Sequence, residues 1–306
     1  QDGDLVAATM GRGFWILDDI TPLREATAKT AAKPAHLFKP AVAIRLRAST
    51  NRDTPPPPSE PRGANPPAGA IFDYWLKDDA KEPVTLTVRD AQGKIVRRFS
   101  SAATPRNLKA NRYFEESWVG DATPRLSAAA GAHRFVWNLR WPRPPAITYH
   151  YSISAVWPGD TPLVPQGGLA VPGHYTVTLE VDGRQYTQPL TIRLDPRVQI
   201  STRALAANHA LEYRISAMLE RAIDAYDASG ERLAKLRNQG EEERIKLLEA
   251  WRDQGPYSLR AVAGALDTLA TKLEMSDAAP TEGQQAVFAV YGKKLDALLA
   301  RWTQRQ

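Results

Sequence analysis

The chain has no cysteine among its 306 residues. That excludes disulfides, thiolate metal sites and cysteine nucleophiles within it. It also lacks any run of about 18 apolar residues, so no membrane-spanning helix is expected. No block of one charge occurs. The net charge is +6, yet residues 1–69 hold nine basic and seven acidic groups, residues 70–199 sixteen and twelve, and residues 200–306 fifteen of each. A nucleic-acid binder concentrates Lys and Arg on one face or helix. This thin spread points away from nucleic acid and towards a mildly basic solvated surface.

Motifs of catalysis are equally scarce. The five histidines are His36, His133, His150, His174 and His209. None stands three or four residues from another, so no helical metal-ligand pair and no metal site is expected. No G-x-S-x-G elbow occurs, and Gly167-Gly168 lies in a proline-flanked loop rather than before a helix. No cofactor is implied. The adjacent acids Asp18-Asp19, Asp78-Asp79 and Glu115-Glu116 do not converge by themselves, since neighbours on a strand face opposite ways. Glu115-Glu116, among Tyr113, Phe114 and Trp118, is the most carbohydrate-like cluster, and no residue is assigned as catalytic.

What the chain does have is period-two alternation. Tyr74-Trp75-Leu76, Val84–Val88, Lys94–Phe99, His133–Leu139, His174–Val181 and Gln185–Leu194 alternate β-branched or aromatic residues with polar ones, as half-buried strands do. Asp182-Gly183 marks a hairpin, because both residues tolerate positive φ. These signals predict an antiparallel Ig-like β-sandwich over residues 70–199. Beyond Asp195-Pro196 the period becomes helical. Leu211, Ile215, Leu219 and Ala222 recur at that spacing, as do Val262, Leu266, Leu269 and Leu273. Ser258 is placed as a helix cap and Thr281 with Gln284 as a capping box. An all-α antiparallel helical bundle is expected over residues 200–306.

At the other end, residues 3–9 and 14–19 predict two short strands around Met10-Gly11-Arg12-Gly13. A lone hairpin is marginal in water, so this one is expected to belong to a larger sheet that these residues do not include. The chain opens at Gln1, inside that hairpin and without a basic-then-apolar leader, which suggests a piece of a longer protein. Residues 21–69 are expected as a linker, with Pro55-Pro56-Pro57-Pro58 as an extended polyproline stretch.

The hairpin, then Ala35–Pro40, Gly63–Ala70, the alternating segments and Asp195-Pro196-Arg197-Val198 stand in an order that resembles the C-terminal region of bacterial sortilin-like proteins. These are also called YVTN/BNR-like repeat proteins and are often labelled glycosyl hydrolases. The resemblance implies that residues 1–20 are the last strands of a β-propeller blade and that the protein is exported, periplasmic or extracellular. It implies a structural and binding module that braces an upstream propeller of the same protein and contacts protein or peptide. The alternative is an accessory, carbohydrate-contacting domain of a BNR-repeat glycoside hydrolase. The Asp-box turn of these repeats does not occur in the chain, so no propeller hallmark is carried onto a numbered residue. The alternating segments also resemble the Ig-like domain of flagellar hook-cap proteins, which implies a fold and no activity.

Two long loops interrupt the alternating region and are rich in aromatics. They supply the ligand-contact candidates Tyr113, Trp118, Trp141, Tyr149, His150, Tyr151 and Trp157. Exposed rings stack on sugars or anchor protein contacts, and buried ones would simply cover the sheet edges.

Overall fold

The structure is a computed structural model that describes residues 3–11, 13–47, 67–104, 108, 124–150 and 163–303. Its first sheet is the expected hairpin, β1 (Leu5–Ala8) and β2 (Phe14–Leu17). Leu5 faces Leu17 and Ala8 faces Phe14 in antiparallel register. Two short helices follow, α1 (Thr21–Glu25) and α2 (Ala28–Ala31). Then come β3 (Ala35–Leu37), β4 (Ala43–Arg45), β5 (Ala70–Leu76), β6 (Thr85–Arg89), β7 (Ile95–Ser100), β8 (Gly131–Trp137), β9 (Gly173–Val181) and β10 (Arg184–Leu194). Four helices close the described chain: α3 (Thr202–Gln239), α4 (Glu242–Arg252), α5 (Leu259–Glu274) and α6 (Glu282–Thr303).

The strands after the hairpin form a five-stranded sheet in the order β4-β10-β9-β6-β7 and a three-stranded sheet in the order β3-β5-β8. Both contribute to one core. Phe72, Tyr74 and Leu76 of β5 and Trp137 of β8 pack with Leu86, Val88, Val177, Leu179 and Ile192 of the larger sheet. The strand signal at Tyr74-Trp75-Leu76 extends back along β5, where Ala70, Phe72, Tyr74 and Leu76 are all buried. At the β9–β10 turn Asp182 and Gly183 both take positive φ, 48° and 75°, as a primed hairpin turn requires.

This is not the expected Ig-like antiparallel sandwich followed by a separate helical bundle. The larger sheet is mixed, because β4 runs parallel to β10 with Ala43 opposite Ile192. Strands β3 and β4 come from the stretch expected as linker and are built into the two sheets. Each is only three residues long, too short for alternation to declare itself. The hairpin stands apart from both sheets: β1 and β2 pair with each other in a sheet of their own. The helical region is tied into the β region by buried ion pairs.

Strand β7 is bulged. Opposite Val88 and Arg89 its register shifts by one residue, from Arg97 to Ile95. Such a bulge reverses which residues face inward. Val96 and Phe99 are buried while Ile95 and Arg98 are exposed, so β7 turns a basic edge outward.

Among the helices, α3 is capped by Ser201, whose hydroxyl accepts from the Ala204 N–H at 3.2 Å, and ends at Gly240 in the left-handed region. Leu211, Ile215, Leu219 and Ala222 of α3 pack against Val262, Leu266 and Leu273 of α5 and Leu295 of α6. The cap at Ser258 forms, and the Thr281–Gln284 box closes in both directions at 2.8 and 3.2 Å. Among the described residues no helix is long and apolar enough to cross a membrane.

Candidate functional site

Where the sheets meet the helices, the interface is polar. Asp277, just beyond α5, pairs with Arg45 at the end of β4 and with Arg47, each at 2.6 Å. Both ends of the Arg45–Asp277 pair are buried. Burial alone would raise Asp277, but the two guanidinium groups outweigh it and hold its carboxyl below the usual range. Glu274, the last residue of α5, accepts the backbone N–H groups of Gln166 and Gly167 at 2.8 and 2.7 Å. The Arg140 guanidinium donates to the Gly167 carbonyl at 2.7 Å.

Gly167 is required at that point. Its φ is +98°, and a Cβ there would stand 2.6 Å from the Trp141 carbonyl oxygen and 2.7 Å from that of Pro142. This close approach lets the 139–142 segment lie beside residues 167–170, with the Trp141 N–H donating to Gly168 O at 2.9 Å and Ala170 N–H to Leu139 O at 2.7 Å. Trp141 is thereby held at the edge of the β region, its ring 5.1 Å from His209 and 5.8 Å from Tyr213 of α3. Lys94, at the start of the basic β7 edge, reaches over both rings. Its Nζ lies 3.8 Å from the Tyr213 centroid and 4.9 Å from that of Trp141.

Together these groups line a cleft of about 490 Å³ between β7, the 141–144 segment and one face of α3. That size falls in the range of small-ligand pockets. Its floor is Glu212, only 6% exposed. One oxygen, Oε2, lies close over Gly168, where a Cβ would come within 2.2 Å of it. The other, Oε1, has no hydrogen-bond partner among the described residues, and neither has His209 Nδ1. Burial, then the nearby Glu274 charge, pushes the Glu212 carboxyl up to about 7 against the pull of Arg47, Arg140 and Arg45. Burial, with Lys94 and Arg45, brings His209 down to about 4. The floor is therefore a neutral imidazole and a carboxyl that titrates near neutrality, beneath a cationic edge of Lys94, Arg97 and Arg98.

Of the aromatic candidates from the sequence, Trp141 stands in this cleft. Tyr149 is buried, its hydroxyl donating to Pro144 O at 2.9 Å, and it packs with Leu163. His150 is exposed and lines a separate hollow of about 270 Å³ with Arg260 and Asp267. Tyr113, Trp118, Tyr151 and Trp157, like Glu115 and Glu116, lie outside the described residues. The structure brings Trp141 together with Lys94, His209, Glu212 and Tyr213, which sequence reasoning did not single out. The signal for Glu212 was present, since it falls on the α3 stripe with Asn208, Leu211 and Ile215, where a charge interrupts an apolar period. Among the described residues no group of three His, Asp or Glu could hold a metal ion.

A second surface stands apart. Both strands of the hairpin are exposed along their whole length. The register puts Leu5, Ala7, Trp15 and Leu17 on one face and Val6, Ala8, Phe14 and Ile16 on the other. Both faces are apolar and open, with Phe14 76% and Trp15 65% exposed. The root of the hairpin, by contrast, is fixed. Arg134 of β8 grips the Asp73 carboxylate at 2.9 and 3.1 Å and also donates to the backbone carbonyls of Asp18 and Asp19. The Asp4 carboxylate accepts the Asp19 N–H at 2.9 Å, and Gly3 O accepts from Ile20 at 2.8 Å.

Compared with known proteins, the chain matches no family model and no curated sequence.

Proposed function

We propose that the chain is a structural and binding module, which braces a β-propeller of the same exported protein through the β1–β2 hairpin. The observation that carries this reading is the hairpin's pair of open apolar faces. A strand that is apolar on both sides belongs to a sheet covered on both sides. A propeller supplies such a setting, because each blade is packed between neighbouring blades around the axis. The two-stranded ribbon also leaves its outer edges unpaired among the described residues, and an unpaired edge is a template for further strands. The Arg134 clamp supports the bracing role, since it connects the hairpin root to β5 and β8 and so to the core.

The test is to express the complete reading frame and compare it with the double variant Phe14→Ser, Trp15→Ser. If the hairpin braces a propeller, the variant separates the two parts, and limited proteolysis releases the region after residue 20. An unchanged cleavage pattern, or a reading frame without a propeller, overturns the proposal. The second reading, an accessory domain of a BNR-repeat glycoside hydrolase that contacts carbohydrate, draws on the Trp141 and Tyr213 rings in the cleft.

A further inference from the structure

We propose that the cleft between β7, the 141–144 segment and α3 binds a small carboxylate-bearing ligand, with Arg98 and Lys94 taking its charge and the Trp141 and Tyr213 rings its apolar body. Nothing in this assignment depends on the hairpin. Three features of the cleft carry it.

The first is an unmet polar group. Glu212 lines the cavity, and its Oε1, buried behind that surface, has no hydrogen-bond partner among the described residues. A buried polar atom without a partner is costly, of the order of 1–3 kcal/mol, and a small turn of the Glu212 side chain would bring it to a ligand hydroxyl or carboxylate in the cleft. His209 Nδ1 is in the same condition on the same face, one helical turn earlier. The second is charge. The cleft is lined by Lys94, Arg97, Arg98 and Arg143 against Glu212 and Glu220. Arg143 is already engaged by the Leu163 and Pro165 carbonyls, whereas Arg98 is exposed on the strand that the bulge turns outward. The third is the pair of rings roofed by Lys94, a setting in which an aromatic face contacts a sugar ring or an apolar side chain.

The floor decides between anions. Because Glu212 titrates near 7, below that pH it is a neutral carboxyl able to donate to a monoanionic carboxylate. Once ionised it opposes any anion, and a dianionic phosphate most of all. The groups that surround it are Glu274, Arg47, Arg140 and Arg45 from the interface and Lys94 and His209 from the cleft. Two sources present this chemistry, a uronic acid and the free C-terminus of a peptide.

Isothermal titration of the whole chain at pH 6 tests the assignment. The probes are D-glucuronate, N-acetyl-L-phenylalanine and their neutral counterparts glucose and N-acetyl-L-phenylalanine amide. At least one acid is expected to bind, roughly tenfold or more tighter than its neutral counterpart. Which acid binds names the source. Arg98→Glu, on an exposed side chain, and Tyr213→Ala, 48% exposed, are each expected to weaken binding about tenfold with an unchanged circular dichroism spectrum. Silence from both acids, equal binding of the neutral compounds, or wild-type affinity in Arg98→Glu overturns the proposal.

Discussion

At position 212 helix α3 carries a glutamate where its stripe calls for a hydrophobe, and the carboxyl responds by holding its proton. It would titrate at 4.5 without its surroundings and titrates at about 7 here. The fold therefore favours the protonated form. Its stabilisation is complete below about 4.5 and is lost as pH rises through 7. Asp267, pushed to about 7 chiefly by burial, acts in the same direction. Glu212→Gln is expected to match the native chain in urea unfolding at pH 4 and to exceed it at pH 8 by on the order of 3 kcal/mol. An offset that does not change with pH would contradict this. Gly167 offers a second test, because Gly93 shares its positive φ but has open space where a Cβ would sit. Gly93→Ala is expected to cost about 1 kcal/mol, and Gly167→Ala, which also meets two carbonyl oxygens, at least about 2–3 kcal/mol. Equal losses in the two variants would show that the close approach is not what requires glycine.

Among elements, the long strands and the helical spacing beyond Asp195-Pro196 could be read from the sequence because their signals are local. Apolar and polar residues alternate through β9, and the cap read at Ser258 forms. Strands β3 and β4 could not be read, having three residues each and partners far along the chain. The parallel pairing of β4 with β10 joins Ala43 to Ile192, and nothing near Ala43 records it. The bulge in β7 hid in the same way. Its sequence alternates as Ile95, Arg97, Phe99, yet Val96 and Phe99 are the buried pair. The ion pair at the end of β4 carries a prediction at this scale. Asp277→Ala leaves Arg45 and Arg47 without their shared carboxylate at a buried position. Loss of one partner of a buried pair costs about 3–5 kcal/mol. Thermal unfolding is expected to show that loss, and a shift no larger than that of the exposed pair variant Asp296→Ala would contradict it.

For the whole molecule, the sheets and the C-terminal helices share a polar interface, and the hairpin leaves the rest at a clamped root. The cleft stayed hidden in the sequence because it is assembled from β7, the 141–144 segment and α3, which meet only after the sheets and helices dock. The hairpin was visible early, and its meaning lies in what the fold does not cover. Amide hydrogen exchange measures this most directly, because unprotected amides report strands that open freely. In the chain alone, the β1 and β2 amides of Val6, Ala7, Trp15 and Ile16 are expected to exchange far faster than those of Val177 and Leu190 in the core sheet. In the complete reading frame they are expected to become as protected as that core. Protection in the isolated chain, or its absence in the complete protein, would contradict the bracing role.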